Sequence, residues 1–381
     1  MSVRVLCEVR PRVQACNVLV TSVNLDCPMK LTVQPHSLRI SCRSNEGKEH
    51  VCTFNLPKDF STRLQPQSLS GLAVSNESVS FRLQTEPHQD MSGSFSAQVL
   101  MLEEAIKNDV NDNRAPSITP GQPYRIECAC CGYSPLITPE MTFRRVLPLP
   151  SSVCDTNDFF CHKHPNEDSN DMGTDPRGDD CFYSTALIRL NKSLFWHQQS
   201  EVLYCKRCFS WLGTHDKYST SLWTCTTVVR PVSDNLACSI ASDAVQDFVD
   251  VVKDAMRESM SIACRIVLEA RSSPGESVYL LLWVLDRDLL TLSARIDVEN
   301  ASSAVLIERR IAKVLFIFET SSSQLLSTWM NDVRVQLVKV ALPILYRGTN
   351  MLVKTSRLLS STNRIGQNGF FIGYLCPDLI K

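Results

Sequence analysis

Apolar residues recur with period two along the first hundred positions. Val3, Val5, Cys7 and Val9 alternate with polar or charged neighbours. Leu31 and Val33, then Leu38, Ile40 and Cys42, then Cys52, Phe54 and Leu56, then Val79, Phe81 and Leu83 repeat the pattern between short Pro, Ser, Asn and Gly breaks. Such alternation marks half-buried strands, and several in succession predict a small sandwich or open barrel over residues 1–105. Cys7, Cys42 and Cys52 fall on the apolar phase, which predicts buried free thiols. Residues 102–106 read as a short helical piece. Polar residues and Pro/Gly breaks then make 106–123 a linker.

Residues 124–232 lose the clean alternation. Prolines at 148 and 150 force an extended run. An acidic loop follows at 151–180. Its stretch 168–173 looks like a calcium loop but fails as one, because Met172 takes a ligand position and no bidentate Glu closes it. Residues 186–190 and 223–229 read as strands, and Leu194, Phe195 and Trp196 as core. From 233 to 381 the period changes. Asp243 and Gln246 fit a capping box, and Val245, Phe248, Val249, Val252 and Met256 lie on one helical face, a core stripe or a dock for a partner helix. Strands are predicted at 265–270, 278–285 (with Trp283 buried), 313–318 and 370–375, and a second helix from Pro343 towards Leu359. The predicted fold class is α+β: an N-terminal all-β domain (1–105), a linker (106–123), a cysteine-rich middle (124–232) and an α+β C-terminal domain (233–381).

The chain has 381 residues and a net charge of −1, which gives no electrostatic footprint for direct nucleic-acid binding. Its longest apolar run falls short of the roughly 20 residues of a membrane helix, so no membrane partner is expected. Seventeen cysteines, an odd number with no apolar leader before them, predict a reducing compartment with metal-bound and free thiols. The sequons at Asn76, Asn191 and Asn300 then carry no meaning for glycosylation.

Cysteine spacing carries the chemistry. Cys128 and Cys131 form one C-x-x-C, and Cys205 and Cys208 another. Four soft thiolates on two tight turns suit one structural zinc, with no open coordination position for catalysis. Gly132 and Gly213 fit turns that aim backbone amides at sulfur. Cys130 is a local ambiguity, and Cys154 or Cys181 could replace one ligand. Cys161, His162 and His164 form a second cluster with three readings: ligands of a second zinc, a nucleophile, or a thiolate offered to a metal on a partner. Neither a phosphate-binding loop nor a hydrolase motif is present.

The order of motifs resembles a known family. Cys-x-x-Cys-Gly is followed by Arg-Val-Leu-Pro-Leu-Pro-Ser at 145–151, Cys-His at 161–162, Asp-Cys-Phe at 180–182 and Cys-Lys-Arg-Cys at 205–208. Val-Tyr-Leu-Leu-Leu-Trp at 278–283 and Trp-Met-Asn-Asp at 329–332 come later. The chain resembles the HECT-like family of ubiquitin-conjugating-enzyme-binding proteins over nearly its whole length. The resemblance implies a ubiquitin-protein ligase, with a ubiquitin-conjugating enzyme and ubiquitin as partners and the contact within 219–248. It implies a location in cytoplasm and nucleus, and a link to messenger-RNA 3′-end processing. There Cys161, with His162, would enter the active site of the zinc endonuclease of that machinery and inhibit it. A thioester-forming ligase needs a cysteine near its C-terminus, and Cys376 alone fills that place as the candidate nucleophile.

Overall fold

In the computed structural model, Val3 to Val9 do more than the alternation predicts: Leu6 and Glu8 are buried as well as Val3, Val5, Cys7 and Val9. The structure describes residues 2–22, 29–43, 49–75, 78–87, 118–149, 175–184, 186–196, 201–232, 242–259, 264–273, 276–298, 300–359 and 361–380. The expected helical piece at 102–106 and the calcium-like stretch at 168–173 lie outside them. The protein is mostly β-sheet with few helices, α+β in the broad sense. No helix among the described residues is long and apolar enough to cross a membrane. The chain divides into two units, each built from separated segments.

The first unit comprises residues 1–111, 284–317 and 351–381. Its main sheet is antiparallel. Strand Ser2–Arg10 lies between Ala15–Ser22 and the later part of Glu276–Asp297, with Val3 opposite Ile296, and the sheet continues through Ser78–Pro87 to Thr62–Val74. A second sheet runs Ser303–Val305, Glu49–Asn55, Ser37–Arg43, Met29–Gln34. One face of each contributes to a shared core in which Val5, Cys7, Val18 and Phe81 cluster with Leu38, Ile40, Cys52 and Phe54. Two sheets around one apolar layer make a sandwich. Cys7 and Cys52 are buried and form no disulfide, as expected; the side chain of Cys42 lies outside the description. The opposite face of the first strand is covered too. Leu6 and Leu19 pack with Ile311, Leu358, Tyr374, Cys376 and Leu379. A second cover explains why strict alternation understates burial here.

The second unit comprises residues 112–283 and 318–350. A six-stranded sheet runs Arg145–Pro148, Asp180–Tyr183, Leu187–Asn191, Ser219–Trp223, Trp211–His215, Val202–Tyr204, beside a three-stranded sheet of Thr227–Pro231, Pro123–Cys128 and Glu140–Thr142. Both feed one core that includes Tyr124, Ile126, Phe143, Ile188, Leu203 and Leu222. The expected strand over 223–229 is broken at 224–226. The hydroxyls of Thr226 and Thr227 both donate to the Trp223 carbonyl, at 3.1 and 2.8 Å, and so compete with the ladder. Trp283 is not buried but 39% exposed. The pleat turns it to the face opposite the fully buried Leu282, a face that is covered over Leu281 but left open at Trp283. Trp196 is 41% exposed, its ring covered by Lys206 Nζ at 4.5 Å instead of by the core.

Helix Ala244–Glu258 begins with Asp243 Oδ1 accepting from Val245 N at 3.0 Å. The cap is a simple one and not the expected box: Asp243 accepts from Val245 N and not from Gln246 N, and Gln246 Nε2 donates to Asp250 Oδ1. Phe248, Val249, Val252 and Met256 are buried, so the stripe is core. Its neighbour is the early part of helix Leu342–Ser356, which approaches at Gly348: a Cβ there would overlap the Phe248 ring. Gly348→Ala is therefore expected to destabilise the unit by about 1–3 kcal/mol through overpacking. A urea midpoint equal to wild type would show that the two helices are not in such close contact.

Candidate metal centre

Two short turns, 77 residues apart from first cysteine to first cysteine (205 − 128), have the same backbone pattern. In the first, Gly132 N donates to Cys128 O and Cys128 N to Tyr133 O, both at 2.9 Å. In the second, Phe209 N donates to Cys205 O and Cys205 N to Ser210 O, again both at 2.9 Å. Each turn closes through a left-handed residue, Gly132 at φ 72° and Phe209 at φ 59°. Gly213, expected at such a turn, lies instead within strand Trp211–His215, where a Cβ would overlap the Ser221 carbonyl. The left-handed Phe209 went unread because Phe is a rare residue in that conformation. Aligning C-x-x-C-Gly with C-x-x-C-Phe was the one available signal.

The turns bring four sulfurs together. Cys128 Sγ lies 3.6 Å from Cys208 Sγ, and Cys131 Sγ 3.5 Å from Cys205 Sγ. All four lie within 4.8 Å of one another. A tetrahedral zinc with Zn–S bonds of ~2.3 Å has sulfurs ~3.8 Å apart, so the spacing is compatible with zinc. The amides of Cys130 and Cys131 hydrogen-bond the Cys128 sulfur, and those of Arg207 and Cys208 the Cys205 sulfur. Burial pushes the Cys128 thiol up to about 12, against those amides. The Ser210 hydroxyl, 3.1 Å from Cys208 Sγ, helps hold that thiol down at about 6. Amides and a hydroxyl aimed at sulfur stabilise the thiolate, the form that ligates metal.

The other candidates are placed elsewhere. Cys130 is exposed and outside the cluster. Cys181 is buried in the sheet core, and burial alone pushes its thiol up to about 12. Cys154, Cys161, His162 and His164 lie outside the described residues. The strands that precede and follow that stretch are held side by side. Arg145–Pro148 pairs in parallel with Asp180–Tyr183, and Arg145 Nε donates to Asp180 Oδ1 at 2.7 Å. This guanidinium, with the Arg177 amide, holds the Asp180 carboxyl below the usual range despite burial. Cys376 follows strand Phe371–Leu375, 8% exposed, in an apolar cluster of the first unit.

A family model described as HECT-like ubiquitin-conjugating enzyme (E2)-binding matches residues 8–369. The chain belongs to this family. No curated protein and no solved structure matches. The four-sulfur cluster thus lies well inside the matched region of this HECT-like E2-binding protein, whereas most of strand Ser2–Arg10 and all of Phe371–Leu375 fall outside it.

Proposed function

We propose that this protein binds a ubiquitin-conjugating enzyme and promotes ubiquitin transfer to substrates by recruitment, with one structural zinc held by Cys128, Cys131, Cys205 and Cys208. The family description carries this reading. Four thiolates leave a zinc no open position, so its role is to clip the two turns together. Burial of Cys376 supports recruitment over a covalent relay, since a thioester acceptor has to meet the incoming thioester carbon. The test is a reconstituted reaction of full-length protein, activating enzyme, ubiquitin and individual conjugating enzymes. Expected is discharge of the conjugating enzyme's thioester above its basal rate, equal for wild type and Cys376→Ala. Discharge lost in Cys376→Ala would revive the relay, and absence of both binding and discharge with every conjugating enzyme ends the reading.

A second reading is that the protein inhibits the 3′-end zinc endonuclease through Cys161. The parallel pair that clamps Arg145–Pro148 to Asp180–Tyr183 favours it, because it tethers the segment bearing Cys161 at both ends. Cys161→Ala should abolish inhibition while zinc content stays unchanged. Undiminished inhibition by that variant excludes the plug.

A further inference from the structure

Phe209 is the outlier of the metal centre. The first turn closes with a glycine, which adopts positive φ without steric cost, while the second closes the same hydrogen-bond pattern with a bulky aromatic. The ring is 77% exposed, so the strain brings little burial in return. A strained backbone that presents a large apolar side chain to solvent points to a use outside the chain.

The turn that carries Phe209 is linked through Lys206 to further exposed aromatics of the same unit. Lys206, in the same turn, lies over exposed Trp196. Trp196 lines a cavity of about 430 Å³ together with Phe195, His215 and Tyr218. Tyr218 is exposed in turn, with Lys217 Nζ 4.8 Å over its ring, and Lys192 Nζ donates to the Asp216 carbonyl at the same cavity. Residues 192–218 carry four cations (Lys192, Lys206, Arg207, Lys217) against two acids (Glu201, Asp216), in a chain of net charge −1. Exposed Trp, Tyr and Phe with cations around them are the composition of an interface centre and its rim.

We infer that Phe209, Trp196 and Tyr218 form the docking face for the ubiquitin-conjugating enzyme, with Lys192, Lys206, Arg207 and Lys217 selecting an enzyme face that is apolar at its centre and acidic around it. The inference rests on the reading that the protein binds a conjugating enzyme. It moves the contact ahead of the 219–248 stretch implied by the resemblance, onto the second cysteine turn itself. The metal then acquires a second consequence: by fixing Cys205 and Cys208 it fixes the direction in which Phe209 points.

Phe209→Gly separates docking from folding, because it removes the ring and also relieves the backbone. Full-length wild type, Phe209→Gly, Lys206→Glu/Lys217→Glu and Val333→Ala are measured by biolayer interferometry against individual purified conjugating enzymes, with zinc content and melting temperature in parallel. Val333 is a fully exposed apolar side chain on another loop. Expected for Phe209→Gly is a tenfold or greater loss of affinity, with full zinc and a melting temperature equal to or above wild type. The charge-reversed variant should lose affinity and salt dependence together, and Val333→Ala should bind as wild type. Wild-type affinity in Phe209→Gly overturns the docking face while leaving conjugating-enzyme binding intact. Wild type that binds no conjugating enzyme removes both. A Phe209-dependent complex with a single-stranded oligonucleotide, or with a second copy of the chain, in place of the conjugating enzyme also overturns it.

Discussion

Replacing Cys205 by serine is expected to strip the metal and melt the cysteine-rich sheets of the second unit. Structural zinc in small domains contributes an apparent ~10–16 kcal/mol, against total domain stabilities of ~5–15 kcal/mol. Loss of one thiolate from a four-sulfur set therefore exceeds what the remaining core can offset. Cys128 and Cys205 are themselves members of that core, so the metal and the apolar packing fail together. Wild type should contain one zinc per chain by plasma mass spectrometry, and Cys205→Ser and Cys128→Ser none. Their amides between 123 and 231 should lose hydrogen-exchange protection. Cys130→Ser, whose thiol is exposed and outside the cluster, should stay within ~0.5 kcal/mol of wild type with full zinc. Stoichiometric zinc in Cys205→Ser would falsify the assignment.

The second large effect belongs to Glu8 in the first unit. Its carboxylate is buried, and Oε1 accepts from Lys313 Nζ at 2.7 Å and from the Tyr374 hydroxyl at 2.5 Å. One side chain thus joins strands Ser2–Arg10, Ile307–Thr320 and Phe371–Leu375. Glu8→Ala takes from a mostly buried ammonium and a buried phenol the acceptor they share, at a cost of about 3–5 kcal/mol. Tyr374→Phe loses only the neutral donor, about 1–2 kcal/mol. The triple change Glu8→Leu/Lys313→Met/Tyr374→Phe should recover most of the loss, since apolar side chains of similar size avoid desolvating two charges and leave no buried hydroxyl without an acceptor. Urea unfolding measures all three, and a wild-type midpoint in Glu8→Ala would refute the bridge. Burial first, then the charge and hydrogen bond of Glu8, raise the Tyr374 hydroxyl well above its usual value. A raised value in the folded state means that its contribution is whole below the unfolded value of about 10 and fades as pH climbs through the folded one. The stability gap between wild type and Tyr374→Phe should accordingly be constant from neutral pH to about 10 and close above it.

Local chemistry was legible in the sequence; distant pairing was not. Thiol pairs at C-x-x-C spacing mark a candidate metal site without reference to anything else, and the four sulfurs do converge. Period-two runs marked Val3–Val9 and Leu38–Ile40, and the stripe from Phe248 to Met256 marked a helix with a buried face. What pairs with what leaves no such mark. The apolar run at 278–285 signalled a strand, yet the strand extends over Glu276–Asp297, and its later part closes a sheet with the first residues of the chain. Leu285 to Asp297 mix charges with apolar residues, so local pattern hides their continuity. Trp196 and Trp283 were misread for one reason: residue type predicts burial on average, whereas exposure depends on whether a neighbour covers that face.

The pairing of Val3 with Ile296 has a consequence for synthesis on the ribosome. At roughly 5–20 residues per second, 293 further residues (296 − 3) take on the order of fifteen seconds to a minute to emerge. Throughout that interval the nascent amino-terminal strand offers an open hydrogen-bonding edge with no native neighbour on that side, a template for wrong partners. Premature stop codons upstream of the late strands should therefore do more than shorten the molecule: they would leave its earliest-made half unable to finish folding.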